Sequence, residues 1–390
     1  MPDTKVGMSS STIPPGKKLR VGILFGGKSG EHEISLRSAR SIVKAIDRSR
    51  YAVVELGITK SGRWLPVEDS ALLLEGLTQK EIDAHAATNP GTPLTLASTA
   101  ADPASGSPID IVFPVLHGTF GEDGTVQGLL ELADIAYVGS GVLGSAAGMD
   151  KDAMKRLFAS ANLPQTPWLT LLRSDWRRDP DTATRRIEST LRYPLFVKPA
   201  NLGSSVGISK VHDRSELAPA LDHAATFDRK LIIEQGVGGP GVKPRELEIA
   251  VLGNDRPKAS VIGEIIPSKE FYDYEAKYEL AGPDESQSLI PAPNLTEEEI
   301  AQMESMALAA FRACDCAGLA RVDFLMAPAR EGQRSEIVLN EINTMPGFTS
   351  ISMYPKLWEA SGIAYPELID RLLQLAQERH AEKHETHFTR

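Results

Sequence analysis

The residues that most directly suggest chemistry lie on two short apolar stretches near the C-terminal end. In Ile337-Val338-Leu339-Asn340-Glu341-Ile342-Asn343, halted by Pro346-Gly347, strand alternation projects Glu341 and Asn343 from one face. The same rule puts Arg321 and Asp323 on one face of the strand expected over 319–325. Asp323, Glu341 and Asn343 together offer carboxylate and amide oxygens, the donors a hard cation such as Mg²⁺ takes. Arg321 stands beside them as a cation that stays charged. A structural Arg–carboxylate network across two strands would use the same residues, so the choice rests on the rest of the chain.

Lys198 ends the apolar run Leu195-Phe196-Val197, and a lysine in such a place needs an anionic partner. The loop Gly203-Ser204-Ser205-Val206-Gly207 is flexible and rich in donors, as a phosphate cover must be, although an ordinary turn reads the same way. Glu234-Gln235-Gly236-Val237 closes another apolar strand with polar groups able to meet an adenine edge. Together these are parts for handling ATP. His117 follows a strand, as a general base or as a structural hydrogen-bonding group. Glu31 opens a helix after Gly26-Gly27-Lys28-Ser29-Gly30, where it could meet a ligand or complement the helix dipole. Gly22 to Ser29 matches the P-loop pattern literally, but Ile23-Leu24-Phe25 read as strand core and leave too little loop to wrap a phosphate.

These groups must be positioned by elements the pattern also predicts. Residues 19–25 form a strand, 31–46 a helix with Ile34, Ala39, Ile42 and Ile46 inward, and 51–59 a second strand. That opening predicts a parallel α/β layer with ligand contacts at the strand ends. A third strand covers 109–116, and Asp150 caps a helix that ends before Asn162. Strands then recur around Lys198, at 208–211, 231–235, 246–252 and 260–266. Thr296-Glu297-Glu298-Glu299 is a capping box. Residues 271–288 lack an apolar period and are long enough to act as a lid. A helix starts near Pro366. The expected division is a leader without structure (1–18), an N-terminal α/β domain (19–149) with an irregular insertion at about 65–108, a central domain (150–240), a C-terminal domain (241–378) and a charged tail (379–390).

The chain has 390 residues, 42% of them apolar and 24% charged, with a net charge of −10. That balance offers no electrostatic footprint for nucleic acid. The two cysteines, Cys314 and Cys316, make neither a disulfide framework nor a four-ligand zinc site and read as small buried hydrophobes in a reducing cytoplasm. The weakly apolar run 135–149 is too short and glycine-broken to span a bilayer.

Eight blocks in order resemble the D-alanine–D-alanine ligases of the ATP-grasp superfamily, from about Leu19 to about Leu375. They are residues 26–36, Leu116-His117-Gly118 with Gly121-Glu122-Asp123-Gly124, Met149-Asp150-Lys151, Val197-Lys198-Pro199, and 203–207. Phe271-Tyr272-Asp273-Tyr274-Glu275-Ala276-Lys277-Tyr278, Arg321-Val322-Asp323 and 340–347 complete the set. The resemblance implies a three-domain architecture: a Rossmann-like parallel α/β domain, then ATP held between two α+β domains. It implies that Lys151, Lys198, Ser204 and Ser205 hold ATP phosphates, with Lys277 facing the γ-phosphate. Glu234, Gln235 and Val237 would line the adenine pocket and Glu246 hold the ribose. Asp323, Glu341 and Asn343 would hold two Mg²⁺, which Mn²⁺ can replace. Glu31, with His117 nearby, would take the first D-alanine; Ser352, Met353 and neighbouring backbone N–H groups would take the second. Tyr278 would join Glu31 and Ser204 in closing the lid, and Arg321 with the Gly347 N–H would stabilise the oxyanion. A cytoplasmic homodimer serving peptidoglycan synthesis is the matching expectation. The lid sequence favours D-alanine over D-lactate. The segment 64–108 and both ends match no role in that family.

Overall fold

Val21, Ile23, Leu24 and Phe25 are completely buried, so the first strand is apolar on both faces, as a parallel sheet covered on both sides requires. The computed structural model describes residues 18–88, 109–267, 287–329 and 334–387. The first layer comprises β1 (Leu19–Gly26), α1 (His32–Ala45), β2 (Tyr51–Ile58), α2 (Val67–Glu75), α3 (Gln79–Thr88), β3 (Ile111–Pro114), α4 (Thr125–Leu132), β4 (Ala136–Tyr137) and α5 (Val142–Met149). Its strands pair in parallel in the order β2-β1-β3-β4. Ala39, Ile42 and Ile46 are buried in the core against it, whereas Ile34, also buried, faces the cleft described below. Gly22 to Gly26 lie within β1, so the literal P-loop pattern is strand and not cradle.

Next come α6 (Lys151–Ser160), β5 (Trp168–Leu172), α7 (Arg173–Arg178), α8 (Pro180–Thr190), β6 (Leu195–Pro199), β7 (Ser209–Val211), α9 (Arg214–Phe227) and β8 (Lys230–Gln235). The strands form an antiparallel sheet in the order β5-β8-β6-β7. The last part holds β9 (Arg245–Gly253), β10 (Lys258–Ile266), β11 (Gln287–Leu289), α10 (Glu297–Ala313), β12 (Gly318–Ala327), β13 (Glu336–Asn343), α11 (Met353–Ala360) and α12 (Tyr365–His384). Its antiparallel sheet runs β11-β10-β9-β12-β13. Asp150 caps α6 by accepting from the N–H groups of Asp152 and Ala153, and Thr296 with Glu299 forms the reciprocal box at α10.

The cores tie the layers together. Met154 and Phe158 of α6 pack with the third sheet, although they open the span expected to be central. Leu368, Leu372 and Leu373 of α12 share one core with Val21 and Phe113 of the first sheet. Cys314 and Cys316 are buried and unbridged.

Two expectations need correction. The stretch from 65 onward is not irregular in its described part: α2 and α3 bury Leu73, Leu74 and Ile82 in the first core. Pro66 precedes α2, and Gly76, at φ +106°, ends it. Residues 379–384 are not a solvated tail but the last turns of α12. Arg379 lies 4.2 Å over the Tyr137 ring and Lys383 pairs with Glu131, so the charges hold the helix end against the first layer. Residues 1–17, 89–108, Lys277, Tyr278 and all but the last two residues of 271–288 lie outside the described residues. No helix among the described residues is long and apolar enough to cross a membrane.

Candidate active site

The third sheet builds its polar face by register. Arg321 faces Asn343 and Asp323 faces Glu341 across β12 and β13, while Val322 and Ile342 point into the core between them. The ladder slips between Asp323 and Phe324, which leaves Asn340 as an extra residue on β13. Such a bulge twists the strand locally and re-aims its neighbours, here next to Glu341. Arg321 donates from Nε to Asp323 Oδ1 and from Nη2 to Asp323 Oδ2, both at 2.7 Å. Glu248 Oε2 of β9 lies 3.1 Å from the same guanidinium, and Asn343 Nδ2 donates to Asp323 Oδ2 at 3.2 Å. Burial opposes the charge on Arg321, yet the carboxylates of Asp323 and Glu248 hold it well above its ordinary range.

Opposite this face stand three lysines. Lys198 of β6 and Lys155 of α6 both pair with the carboxylate of Glu234 on β8. Burial alone would raise the Glu234 carboxyl; the two ammonium groups bring it down to about 2. For Lys198 burial works against the charge, and Glu234 and Glu341 overcome it and raise the amine. Lys151, at the start of α6, donates to the Leu202 carbonyl at 2.7 Å and lies 4.0 Å from Glu341 Oε2. It therefore links the 203–207 loop to the acidic face. Lys155 escaped notice in the sequence, although it repeats one helical turn after Lys151. The Gln235 side chain accepts from the Arg192 N–H at 2.9 Å, and Val237 is buried at the strand's end.

The first layer supplies the far end. Glu31 is the buried N-cap of α1, and Ser204 Oγ donates to Glu31 Oε1 across the gap between layers. Ser29 braces the turn, its Oγ receiving the Glu31 N–H at 3.2 Å and donating to the His117 carbonyl at 2.5 Å. Gly118 has φ +75°, and a β-carbon there would stand 2.8 Å from Glu31 Oε2. His117 is buried, with Nδ1 3.1 Å from the Met345 carbonyl and Nε2 3.4 Å from Ser38 Oγ. Burial lowers its basicity, so the neutral ring donates from Nδ1 and accepts at Nε2. Ser38 Oγ also accepts the Phe348 N–H at 3.3 Å, which fastens 345–348 to α1. Glu122 is a site residue that single-residue reading missed. Burial, aided by the charge of Glu31, pushes its carboxyl up to about 8, and it accepts the Gly118 N–H at 2.7 Å. Ser352 caps the sequence end of the loop: its Oγ accepts the Thr349 N–H at 3.1 Å and lies beside Gly347.

Glu31, His117, Glu122, Lys151, Lys198, Glu234, Arg321, Asp323, Glu341 and Asn343 line one cleft of about 910 Å³, with Glu246, Ser205 and Met353 also on its walls; Lys155, Ser29, Gly118 and Ser38 support it from behind. Its volume suits a nucleotide together with small substrates. Two antiparallel sheets facing each other across a lysine-lined cleft, with a parallel α/β layer closing one end, define an ATP-grasp fold.

Comparison with known proteins narrows the class. A family model described as D-ala D-ala ligase N-terminus matches residues 20–140, and one described as D-ala D-ala ligase C-terminus matches 157–374. The D-alanine–D-alanine ligase of Geobacillus thermodenitrificans is 48% identical over 373 residues, covering 94% of this chain and 97% of that protein. That of Heliobacterium modesticaldum is 49% identical over 367 residues, covering 94% and 96%. Among solved structures, the D-alanine-D-alanine ligase of Coxiella burnetii superposes with a TM-score of 0.77 at 36% identity, covering 94% and 96% of the two chains. The VanG D-Ala:D-Ser ligase of Enterococcus faecalis gives 0.75 at 33% identity, covering 92% and 100%. The chain belongs to the D-alanine–D-alanine ligase family.

Proposed function

We infer that this protein joins two molecules of D-alanine into D-alanyl-D-alanine at the expense of ATP, releasing ADP and phosphate, for peptidoglycan precursor synthesis. One observation carries the reading. Glu31 with Ser204, Lys151 with Lys198, and Arg321 with Asp323, Glu341 and Asn343 line a single cleft although they come from three separate sheets and their loops.

A carboxylate is a poor acyl donor at neutral pH, so it must first acquire a leaving group. One D-alanine carboxylate oxygen attacks the γ-phosphorus of ATP; the bond to the β-phosphate oxygen breaks, and ADP leaves with the electron pair. The second D-alanine, once its ammonium has lost a proton to water, attacks the acyl phosphate carbonyl through nitrogen; the acyl C–O bond breaks, phosphate leaves with the electron pair, and the surplus proton on nitrogen passes to the departing phosphate or to water. In this scheme Glu31, braced by Ser204, takes the first ammonium, and His117 holds the loop that carries the second substrate's contacts. Lys151 and Lys198 would hold phosphate oxygens, with the Ser204 and Ser205 loop over them. Glu234, Gln235 and Val237 would line the adenine pocket and Glu246 hold the ribose, and the Glu234 carboxylate would also keep Lys198 charged.

The donor set of Asp323, Glu341 and Asn343 fits Mg²⁺, with two carboxylates and an amide oxygen on one face. Mg²⁺ held there supplies neutralisation of the phosphate charge. Arg321 and the Gly347 N–H would stabilise the oxyanion, with positioning and fixed charge as the main catalytic terms. Ser352 and Met353 would bound the second D-alanine. Lys277 and Tyr278, on the proposed lid, would complete a water-free site. Two metal ions, replacement by Mn²⁺, a cytoplasmic homodimer and the division into three domains belong to the same reading. The test is phosphate release from protein, ATP and Mg²⁺ on adding D-alanine, with D-serine and D-lactate as competitors. D-alanine-dependent release with a dipeptide product supports the reading; release that prefers D-serine or D-lactate replaces it with the corresponding ligase.

A further inference from the structure

Far from the cleft, three potential metal ligands converge on the outside of the first layer. His380 and His384 are four residues apart on α12, and so share one face of the helix. Asp134 belongs to the turn between α4 and β4, with φ +53°, a left-handed conformation that aspartate tolerates. Asp134 Oδ1 lies 3.3 Å from His380 Nε2 and 3.1 Å from His384 Nε2, and the two Nε2 atoms are 3.3 Å apart. These atoms thus outline a near-equilateral triangle.

A tetrahedral ion with ligand bonds of about 2.0–2.1 Å has edges of roughly 3.3 Å. The triangle is therefore one face of such a site, with the fourth position open to solvent. At 3.3 Å the two ring nitrogens can also share one proton in a hydrogen bond; a bound ion would replace that proton by a bond to each nitrogen. The surrounding charges do not oppose a cation strongly. Lys383 is paired with Glu131, and Arg379 stacks on Tyr137, so the neighbouring positive groups are directed to other partners. Those same contacts hold α12 in register against α4 and β4, so the three ligands are brought together before any ion arrives.

We propose that Asp134, His380 and His384 form a binding site for a zinc-class divalent ion, separate from the magnesium donors of the cleft, which staples the end of α12 to the N-terminal α/β layer. Imidazole ligands select zinc, nickel or copper over magnesium. The ligands come from segments about 250 positions apart in the chain, so the ion stabilises the docked helix and not one element alone.

The test uses the full chain, stripped with a chelator and returned to excess Mg²⁺ so that the carboxylate donors of the cleft are engaged. Zn²⁺ is then titrated by calorimetry, and melting is followed with and without it. The expected result is one saturable Zn²⁺ equivalent and a raised Tm. Both are retained in Glu341→Gln and lost in a His380→Ala/His384→Ala double variant. All three ligand side chains are at least a quarter exposed, so the double variant should fold; its metal-free Tm and that of Asp134→Asn check this. Asp134→Asn should weaken Zn²⁺ binding without changing the metal-free Tm by as much. Absence of saturable binding in the parent protein overturns the proposal. So does unchanged zinc stoichiometry and affinity in the double variant.

Discussion

Replacing Glu234 by glutamine removes the carboxylate that two buried ammonium groups share, and leaves Lys198 with only the weaker fields of Glu341 and Glu246. Lys155 is 1% exposed, and both it and Lys198 point at the Glu234 carboxylate. The carboxyl drops from its ordinary 4.5 to about 2; at about 1.4 kcal/mol per tenfold change in proton affinity that is worth roughly 3 kcal/mol. Deleting one partner of a buried ion pair costs about 3–5 kcal/mol, in the same range. Because the folded-state value lies below the ordinary one, the contribution is fully present above about pH 4.5 and fades as the pH falls towards 2. Urea denaturation of the parent and Glu234→Gln proteins should therefore differ by roughly 3 kcal/mol at neutral pH, and by progressively less in acid. A difference below about 1 kcal/mol at neutral pH, or one that does not shrink by about pH 3, would refute the view that the two lysines are charged and held by this carboxylate.

Three further outcomes follow from the same geometry. Gly118→Ala should lose most ligase activity and about 1–3 kcal/mol of stability, because a left-handed backbone and a contact at 2.8 Å from Glu31 are both disturbed; kinetics and melting measure the two effects. Ser204→Ala removes a hydrogen bond to a charged group that the unliganded protein already makes, worth about 1.5–3 kcal/mol, so Tm should fall, and kcat/KM should fall with it because Glu31 loses the group that orients it; melting and kinetics measure the two effects. Cys314, whose thiol burial pushes up to about 12, and Cys316, raised for the same first reason, should resist a thiol reagent in the native protein and react together on unfolding.

How far the sequence reaches depends on whether the information is local. Alternation along 319–325 and 337–343 was enough to group Arg321 with Asp323 and Glu341 with Asn343, because a strand's two faces are fixed by its own residues. The pairing of Asp323 with Glu341 and the bulge at Asn340 depend on which strands meet, and no local pattern reports that. Glu234 shows the same limit. As the polar end of an apolar strand it reads as a lining residue of the adenine pocket, and it does line the cleft; that its carboxylate is also engaged by Lys155 and Lys198, from two other elements, is what no local pattern reports. Helix α2 was hidden by the Ala-, Thr- and Pro-rich text that follows it, though Pro66 and Gly76 mark its ends. The final turns of α12 looked like a solvated tail because their partners, Glu131 and Tyr137, lie about 240 positions earlier.

Acidic oxygens on β12 and β13 and cations from the other layers act on ATP and D-alanine in one cleft. The most direct test of this is D-alanyl-D-alanine formation, quantified alongside phosphate release, in the parent protein and in Glu341→Gln checked for native melting. The parent should release one phosphate per peptide bond formed, and the variant should lose both products almost completely. Undiminished dipeptide synthesis by Glu341→Gln, or phosphate release that ignores D-alanine in the parent, would contradict it.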